Sequence, residues 1–354
     1  METHIRLKII RKTPETPDTV TLELAPLAPG FSYLPGQFLT FLFSNIGPRP
    51  FRRSYSLSST PGIDPNPSIT VRQTPNGTAS QWLNRHARPG LELEALPPAG
   101  RFTPPPPDGP RDYFMVGGGS GVVPLFSILK HALSFDNQSV VTLLLANRKE
   151  ENIIFREALN DWAARFPDRF QLIHFLSEPV GNVSFAPGVR VVSGRLGNSI
   201  LEDMVKKCLR FSPADAHFYL CGPKGLMLKS EMTLRFLKIP DEHIHKEIFT
   251  VEKPRKPIGK NFPEARVEIR FAGRVFHFRV APGETILQAA TRQGIDLPYS
   301  CKTGICTTCS GQCRRGRAVM YGQEGKLDSA AAKGLVLPCV GYPLTPELVI
   351  DIPG

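Results

Sequence analysis

The sequence contains no apolar run that approaches the roughly eighteen residues needed for a transmembrane helix, so we expect no membrane span. Its first residues alternate polar and apolar side chains like a strand and lack the apolar core of a secretory signal. We therefore expect a cytoplasmic protein. The net charge of +11 is not concentrated in a run with interleaved aromatic residues, which argues against a nucleic-acid partner.

Cysteine is scarce, yet four of the seven cysteines form a spaced pattern. Cys301, Cys306 and Cys309 follow C-x4-C-x2-C spacing, and Cys339 comes after a long gap. Three thiolates from one loop and one from a distant segment are typical of a plant-type 2Fe–2S cluster, and Gly304 lets backbone amides approach the sulfides. A structural zinc site is the alternative, although such sites usually have two C-x-x-C pairs. A disulfide framework fits these asymmetrically clustered cysteines less well.

The other candidate ligands show no metal-binding spacing. We expect Cys313 to be a packed thiol in a strand and Cys208 to be an inert residue on a helix. The eight histidines are scattered, and we interpret His243 and His245 as surface residues.

The hydrophobic periodicity and the positions of proline and glycine residues divide the chain into three predicted domains. Residues 1–105 read as short alternating strands between prolines and glycines, which favours an antiparallel β-barrel. In residues 106–250 strands alternate with helices, which is typical of a doubly wound α/β domain. Residues 251–264 are rich in proline and basic side chains and are predicted to be a linker before a third domain, residues 265–354.

The same patterns predict individual elements. Strands are expected at 37–43, 52–57, 68–73, 91–95, 113–116, 140–145, 170–176, 217–220, 267–271, 275–280 and 348–352. Helices are expected at 79–87, 124–133, 153–165, 225–237 and 284–292.

A glycine-rich turn follows the first strand of the α/β domain and opens a helix; it consists of Gly117, Gly118, Gly119, Ser120 and Gly121. Backbone N–H groups at such a helix N-terminus can bind a pyrophosphate. The turn is not a clean G-x-G-x-x-G, so a plain strand–helix turn stays open. A nicotinamide delivers a two-electron hydride, whereas the cluster accepts one electron at a time, so a flavin is needed between them.

The barrel offers a flavin site in one strand. Arg53 can hold a phosphate, Tyr55 can cover a flat ring, and the Ser56 hydroxyl can meet a ring nitrogen. By itself this segment is equally a polar strand with one aromatic residue.

Five short motifs, taken in order, resemble the signature of the ferredoxin–NADP reductase superfamily: Arg53-x-Tyr55-Ser56, Gly77-x-x-Ser80, residues 117–121, Cys221-Gly222-Pro223 and Glu247-x-Phe249. With the cysteine module behind them, the chain is most similar to the phenylacetyl-CoA epoxidase reductase-like group of oxygenase reductases. The resemblance implies a multidomain protein with a flavin barrel, a nucleotide domain and a β-grasp ferredoxin domain.

The resemblance also implies roles for the flavin residues. Arg53 would bind the flavin phosphate, Tyr55 the ring or ribityl chain, and Ser56 the reactive ring nitrogen. Gly77 and Ser80 would bind a pyrophosphate at their helix N-terminus, which favours FAD over FMN. Glu247 and Phe249 would lie close to the isoalloxazine.

For the nucleotide, the resemblance places Cys221 beside the nicotinamide C4, with Gly222 and Pro223 next to it. Arg148 and Lys149 stand where an acidic residue would read a ribose 2′-OH, so the basic pair leans towards the 2′-phosphate of NADPH, and NADH stays open.

These observations predict an NAD(P)H-dependent reductase that passes electrons through FAD and a 2Fe–2S cluster to a terminal oxygenase or hydroxylase. A haem monooxygenase or another acceptor is an alternative partner. An alternative from another functional class is a nucleotide-binding adaptor protein in which the four cysteines hold a structural zinc ion. Residues 251–354 carry 15 Lys+Arg against 9 Asp+Glu, a surplus of +6. We therefore expect the external acceptor to have an acidic docking patch.

Overall fold

The computed structural model describes residues 4–47, 50–106, 109–181, 184–249, 262–295, 297–299, 302, 304, 309–322, 325–326 and 334–353. They fall into two compact units, one within residues 5–250 and the other within residues 251–354. Among the described residues, no helix has both the length and the apolar character required to cross a membrane.

The first sheet is antiparallel, with strand order β4-β3-β6-β1-β2-β5. Its elements are β1 (Ile5–Thr16), β2 (Thr19–Pro26), β3 (Phe38–Phe43), β4 (Phe51–Ser56), β5 (Ser68–Arg72), α1 (Thr78–His86) and β6 (Glu92–Ala95). Alternate residues such as Leu7, Ile9 and Leu22 fill the interior, as the period of two predicts. A bridge between Leu57 and Ile69 joins the two edge strands, so the sheet closes into the predicted barrel.

The second sheet is wholly parallel, with order β10-β9-β8-β7-β11-β12. Its strands are β7 (Asp112–Gly118), β8 (Val140–Asn147), β9 (Phe170–Leu176), β10 (Arg190–Ser193), β11 (Ala216–Cys221) and β12 (Ile244–Glu247). Its helices are α2 (Val122–Phe135), α3 (Arg156–Arg165), α4 (Asn198–Cys208) and α5 (Lys224–Phe236). The order reverses between β7 and β11, and such a switch point opens a ligand crevice at the carboxyl ends of the strands.

Three elements of this sheet region were not predicted. The strand β10 is mostly exposed and β12 reads Ile-His-Lys-Glu, so neither has an apolar run. The bounds of the amphipathic helix α4 were also not predicted, although Cys208 lies on a helix as predicted. The helix predicted from residue 153 begins at Arg156, because Phe155 before it has the left-handed φ of 61°.

The interpretation of His243 and His245 as surface residues is wrong. Both are half-buried, because β12 adds to the sheet beside β11 and brings their rings against those of His217 and Tyr219.

The second unit contains a mixed sheet of order β14-β13-β20-β15-β18 and a small sheet of order β17-β16-β19. Its elements are β13 (Ala265–Phe271), β14 (Arg274–Val280), α6 (Ile286–Arg292), β15 (Gly311–Arg315), β16 (Ala318–Gly322), β17 (Gly325–Lys326), β18 (Leu335–Val336), β19 (Gly341–Pro343) and β20 (Glu347–Ile352). The predicted hairpin turns at Ala272 and Gly273, both with positive φ, as a type I′ turn requires. Thr285 and Gln288 form a capping box that starts α6.

The predicted linker 251–264 lies outside the described residues except for residues 262–264. The domain limits 1–105, 106–250 and 265–354 therefore stay predictions, although each contains its own sheets.

Candidate flavin, nucleotide and iron–sulfur sites

The strand β4 presents the predicted flavin residues at the barrel surface. Tyr55 packs its ring 6.1 Å from that of Phe41, and burial raises the pKa of its hydroxyl well above the usual value. Arg53 is exposed and lies over the Phe51 ring at 5.2 Å, with one nitrogen donating to the Arg52 carbonyl at 2.8 Å. A neutral aromatic face and an exposed guanidinium thus stand side by side, as a flavin ring and its phosphate require.

The helix α1 begins at Thr78, and its N-cap Gly77 has no side chain to cap the backbone N–H groups of the first turn. A Cβ atom at Gly77 would lie 2.1 Å from the Thr74 hydroxyl, so this tight turn needs glycine. Ser80 is buried, donates its hydroxyl to the Gly77 carbonyl at 3.1 Å and accepts from the Thr74 amide at 3.2 Å. The hydroxyl of Ser80 therefore supports the turn, and the backbone N–H groups of the first turn are the donors that fit a pyrophosphate.

The glycine-rich turn after β7 touches the Cys221-Gly222-Pro223 segment after β11. A Cβ atom on Gly121 would lie 1.9 Å from the Cys221 carbonyl oxygen, and one on Gly222 would lie 2.9 Å from the Gly118 amide nitrogen. Only glycine permits this approach, which joins the two predicted nucleotide motifs at the switch point of the sheet. Gly117 and Cys221 are direct partners in the strand pairing.

Arg72 is a candidate site residue that the sequence did not reveal. It ends the barrel strand β5, pairs its Nε with Asp18 at 2.8 Å, and places another guanidinium nitrogen 2.9 Å from the position of a Cβ on Gly119. A single arginine at a strand end reads as a solvated residue. The motif Gly77-x-x-Ser80, a few residues further along the chain, was the one sequence signal that could have pointed to Arg72.

The barrel and the α/β domain meet at Ser56 and Glu247. The Ser56 hydroxyl donates to Glu247 Oε2 at 2.9 Å, although 191 positions separate the two residues. Burial raises the pKa of Glu247 to about 8, even though the bond from Ser56 acts in the opposite direction. The carboxyl group therefore holds its proton at neutral pH.

Cys221 pairs with Glu247 across β11 and β12 and is fully buried. Burial, with a smaller contribution from Glu247, raises the pKa of its thiol well above the usual value, so the thiol stays neutral. Phe249, by contrast, is 41% exposed, which leaves its ring free of the core.

The residues predicted to read the ribose lie at the end of β8. Arg148 donates from Nε to Glu178 at 2.8 Å, and Lys149 lies 4.0 Å from Glu151. Each basic group thus lies beside a carboxylate, which weakens the predicted preference for the 2′-phosphate of NADPH over the 2′-OH of NADH. The buried Nδ2 of Asn147 has no hydrogen-bond partner among the described residues, as a group awaiting a ligand would.

In the second unit, Cys309 and Cys339 are buried with their sulfur atoms 3.3 Å apart. Two thiols this close fit two ligands of one metal ion. Cys301 and Cys306 lie outside the described residues. Cys313 lies in β15 as predicted, half-buried, with its thiol 3.4 Å from the Arg315 carbonyl oxygen.

Comparisons with known proteins identify the kind of domain in two parts of the chain. A family model described as an oxidoreductase NAD-binding domain matches residues 115–231, and one described as a 2Fe-2S iron-sulfur cluster binding domain matches residues 269–344. The chain is 32% identical to a subunit of the 1,2-phenylacetyl-CoA epoxidase of Escherichia coli K12, over 99% of this chain and 98% of that protein. This chain belongs to the oxygenase reductase family. The reductase is also 31% identical to the ferredoxin reductase component of the 3-ketosteroid-9-alpha-monooxygenase of Rhodococcus rhodochrous, over 95% and 93% of the two chains.

The fold of the reductase matches that of phthalate dioxygenase reductase, described as a modular structure for electron transfer from pyridine nucleotides to [2Fe-2S]. The match has a TM-score of 0.60 and 21% identity and covers 99% and 98% of the two chains. The predicted fold class and the predicted cofactors are thereby confirmed. The reductase passes electrons from NAD(P)H through FAD and a 2Fe–2S cluster to an oxygenase.

Proposed function

We propose that the reductase accepts a hydride from NAD(P)H at the junction of Ser56, Cys221 and Glu247 and delivers the electrons singly to a terminal oxygenase with an acidic docking surface. The observation that carries the first half is the hydrogen bond between Ser56 and Glu247. This bond joins β4, the barrel strand that carries the flavin residues, to β12, at the edge of the sheet that carries the nucleotide residues.

On the flavin side, Arg53 binds the phosphate and Tyr55 covers the ring, since they stand side by side on β4. The backbone N–H groups that open α1 would bind the pyrophosphate of FAD. FAD supplies the conversion from two-electron to one-electron transfer. Ser56 and Glu247 hold and move the accompanying proton, because the carboxyl group is protonated near neutral pH.

On the nucleotide side, the turn of residues 117–121 would receive the pyrophosphate, and Arg72, whose Nε is paired with Asp18, offers Nη1 as a further donor beside Gly119. Cys221 sits at the carboxyl end of β11 and limits how closely the nicotinamide ring approaches the sheet. Gly222 and Pro223 shape that edge. Arg148 would contact the adenine ribose, and its pairing with Glu178 is compatible with both NADH and NADPH as donors.

The cluster is held by Cys301, Cys306, Cys309 and Cys339. The close approach of Cys309 and Cys339 supports this set, and the carbonyl contacts of the Cys313 thiol support its exclusion.

Fewer basic residues of this chain are available to bind the acidic surface of the partner than the sequence suggests. Arg314 is paired with Asp351 at 2.7 Å and Arg315 with Glu347 at 3.1 Å, so neither presents an uncompensated charge. Lys302 stands in the cluster loop with its ammonium 4.2 Å from the centre of the Tyr299 ring, which orients it without neutralising it. We assign Lys302 as the main docking charge.

The decisive experiment replaces Ser56. Ser56→Ala removes the hydroxyl that reaches Glu247, whereas Ser54→Ala, a matched change on the same strand, removes one that contacts Thr40. Stopped-flow reduction by NADH or NADPH should slow roughly a hundredfold in Ser56→Ala and change little in Ser54→Ala, with flavin and iron contents preserved. Equal rates in both variants would place the hydride site elsewhere.

A further inference from the structure

Three imidazole rings lie in one stack at the edge of the parallel sheet. The ring centre of His217 is 4.8 Å from that of His243 and 5.3 Å from that of His245. Nδ1 of His217 and Nε2 of His245 are 3.0 Å apart, a direct hydrogen bond. His245 also lies flat on Tyr219, with ring centres 4.6 Å apart.

This stack leads towards Glu247. His245 and Glu247 are two residues apart in β12, so both side chains point to the same face of the sheet. Their Cα atoms are about 6.8 Å apart in an extended strand, a distance that the two side chains and one water molecule can span. The order of groups along the edge is therefore His243, His217, His245, Glu247 and Ser56.

The end of the stack nearest Glu247 is uncharged at neutral pH. Burial and the neighbouring His243 lower the pKa of His245 to about 4, and burial raises the pKa of Tyr219 far above neutrality. The other groups around this face are Tyr113, stacked on Tyr219, and Arg111, paired with Asp136 at 3.6 Å. Lys246 points to the opposite face of β12, where it pairs with Glu231 at 2.9 Å. A neutral imidazole has one donor and one acceptor nitrogen, so hydrogen-bonded rings can pass a proton along.

The chemistry of the reductase requires such a path. A hydride carries two electrons with one proton, whereas the 2Fe–2S cluster accepts electrons only. Each turnover thus releases one proton beside Ser56. Because the Glu247 carboxyl is already protonated, it can take up this proton on one oxygen only as it gives its own proton from the other, so that proton must be passed on towards solvent before the next hydride arrives.

We propose that His245 and His217, which are hydrogen-bonded to each other, form the route by which a proton moves between Glu247 and solvent. His243 stacks on His217 at the outer end of this route, with its Nδ1 bonded to the Ala216 carbonyl oxygen. The proposal rests on the function assigned to Glu247 above. The three histidines act through Glu247 and contact neither cofactor nor substrate. A plain structural role, in which the rings only clamp β12 to β11, is the alternative.

The test removes the ring nitrogens and keeps the rings. His245→Phe and His217→Phe retain the stacking, and His86→Phe is the matched control, since His86 stacks on Trp82 with ring centres 5.7 Å apart. The first measurement follows hydrogen–deuterium exchange of the Glu247 carboxyl in the resting holoprotein by infrared spectroscopy, with Glu247→Gln identifying the band. The second follows proton release with a pH-indicator dye while pre-reduced protein is oxidised by ferricyanide.

We expect carboxyl exchange to slow at least roughly tenfold in His245→Phe and His217→Phe and to stay unchanged in His86→Phe. Dye protonation should lag behind flavin absorbance in the first two variants only. His245→Gln, whose amide can donate and accept, should restore part of the exchange. If His245→Phe loses its cofactors, His217→Phe decides, because it leaves His245 and Glu247 in place.

Wild-type exchange in both phenylalanine variants would overturn the route while leaving the proposed function intact. If Glu247→Gln is reduced by NAD(P)H and releases its proton at wild-type rates, Glu247 holds no essential proton. That result would overturn the assignment of Glu247 and the route together, so the two failures are distinguishable.

Discussion

Residues 5–250 and residues 251–354 hold their redox groups by different means. In the second unit the proposed donors are cysteine thiolates, and the sulfur atoms of Cys309 and Cys339, which are only 30 positions apart in the chain, lie 3.3 Å from each other. In the first unit the site is assembled from strand ends, a helix N-terminus and a contact between residues 191 positions apart.

The difference has a consequence for mutation. The 2Fe–2S cluster needs all four of its cysteine ligands. A flavin or a nucleotide is instead bound by many weak contacts, each of which supplies only part of the affinity. Single changes should therefore act in an all-or-none way in the second unit and in a graded way in the first.

The largest effect is expected from Cys339→Ser. The hydroxyl of serine is a poor substitute for a thiolate, so the protein should lose nearly all its cluster while keeping its flavin. Iron and sulfide analysis and the visible spectrum measure this. Cys313→Ser is the control and should keep a full cluster; a normal cluster in Cys339→Ser would contradict the ligand set.

Next comes Arg53→Ala, which tests the graded behaviour of the first unit. Charge-assisted hydrogen bonds to a phosphate are each worth roughly 1.5–3 kcal/mol, so flavin affinity should fall about tenfold to a hundredfold. Flavin content and titration of the apoprotein measure it, with iron content unchanged. Arg6→Ala, which removes only the exposed ion pair with Glu92, should bind flavin normally. A full flavin complement in Arg53→Ala would place the phosphate elsewhere.

A smaller effect is expected from Cys221→Ala. The side chain lies at the edge where the nicotinamide is proposed to sit, and misplacement of the reacting atoms by about 1 Å can cost up to a hundredfold in rate. Flavin reduction by NAD(P)H should slow about tenfold, with all cofactors retained. Cys208→Ala, at the end of α4, should be silent. A wild-type rate in Cys221→Ala would make Cys221 a packing residue.

The smallest effect is expected at the docking surface. Lys302→Glu should lower turnover with the partner oxygenase several-fold at low salt and spare flavin reduction, since charge steering is screened beyond about 10 Å at 0.1 M salt. Arg314→Glu should act less, because Arg314 is already paired with Asp351. If oxygenase turnover ignores both charge reversal and salt, the basic surplus is only a solvated surface.

Much of the fold could be predicted because its signals are local. Strand alternation and buried apolar runs identified β3, β8, β9 and β20, and the glycine turn identified the start of α2. The missed strand β12 shows the limit: its four residues include one apolar side chain, and it forms only because β11 offers a free edge for pairing.

The sequence by itself predicted the order of the domains, the cofactors and the four candidate cluster cysteines, because short motifs that occur in a fixed order point to them. Only the tertiary structure decided that Ser56 meets Glu247, that Arg72 reaches Gly119, and that Arg314 is paired with Asp351. It also decided that the histidines of β11 and β12 form one stack. The physical reason is that these contacts depend on sheet order and strand register, which place distant segments side by side. No characteristic residue spacing in the sequence marks such contacts.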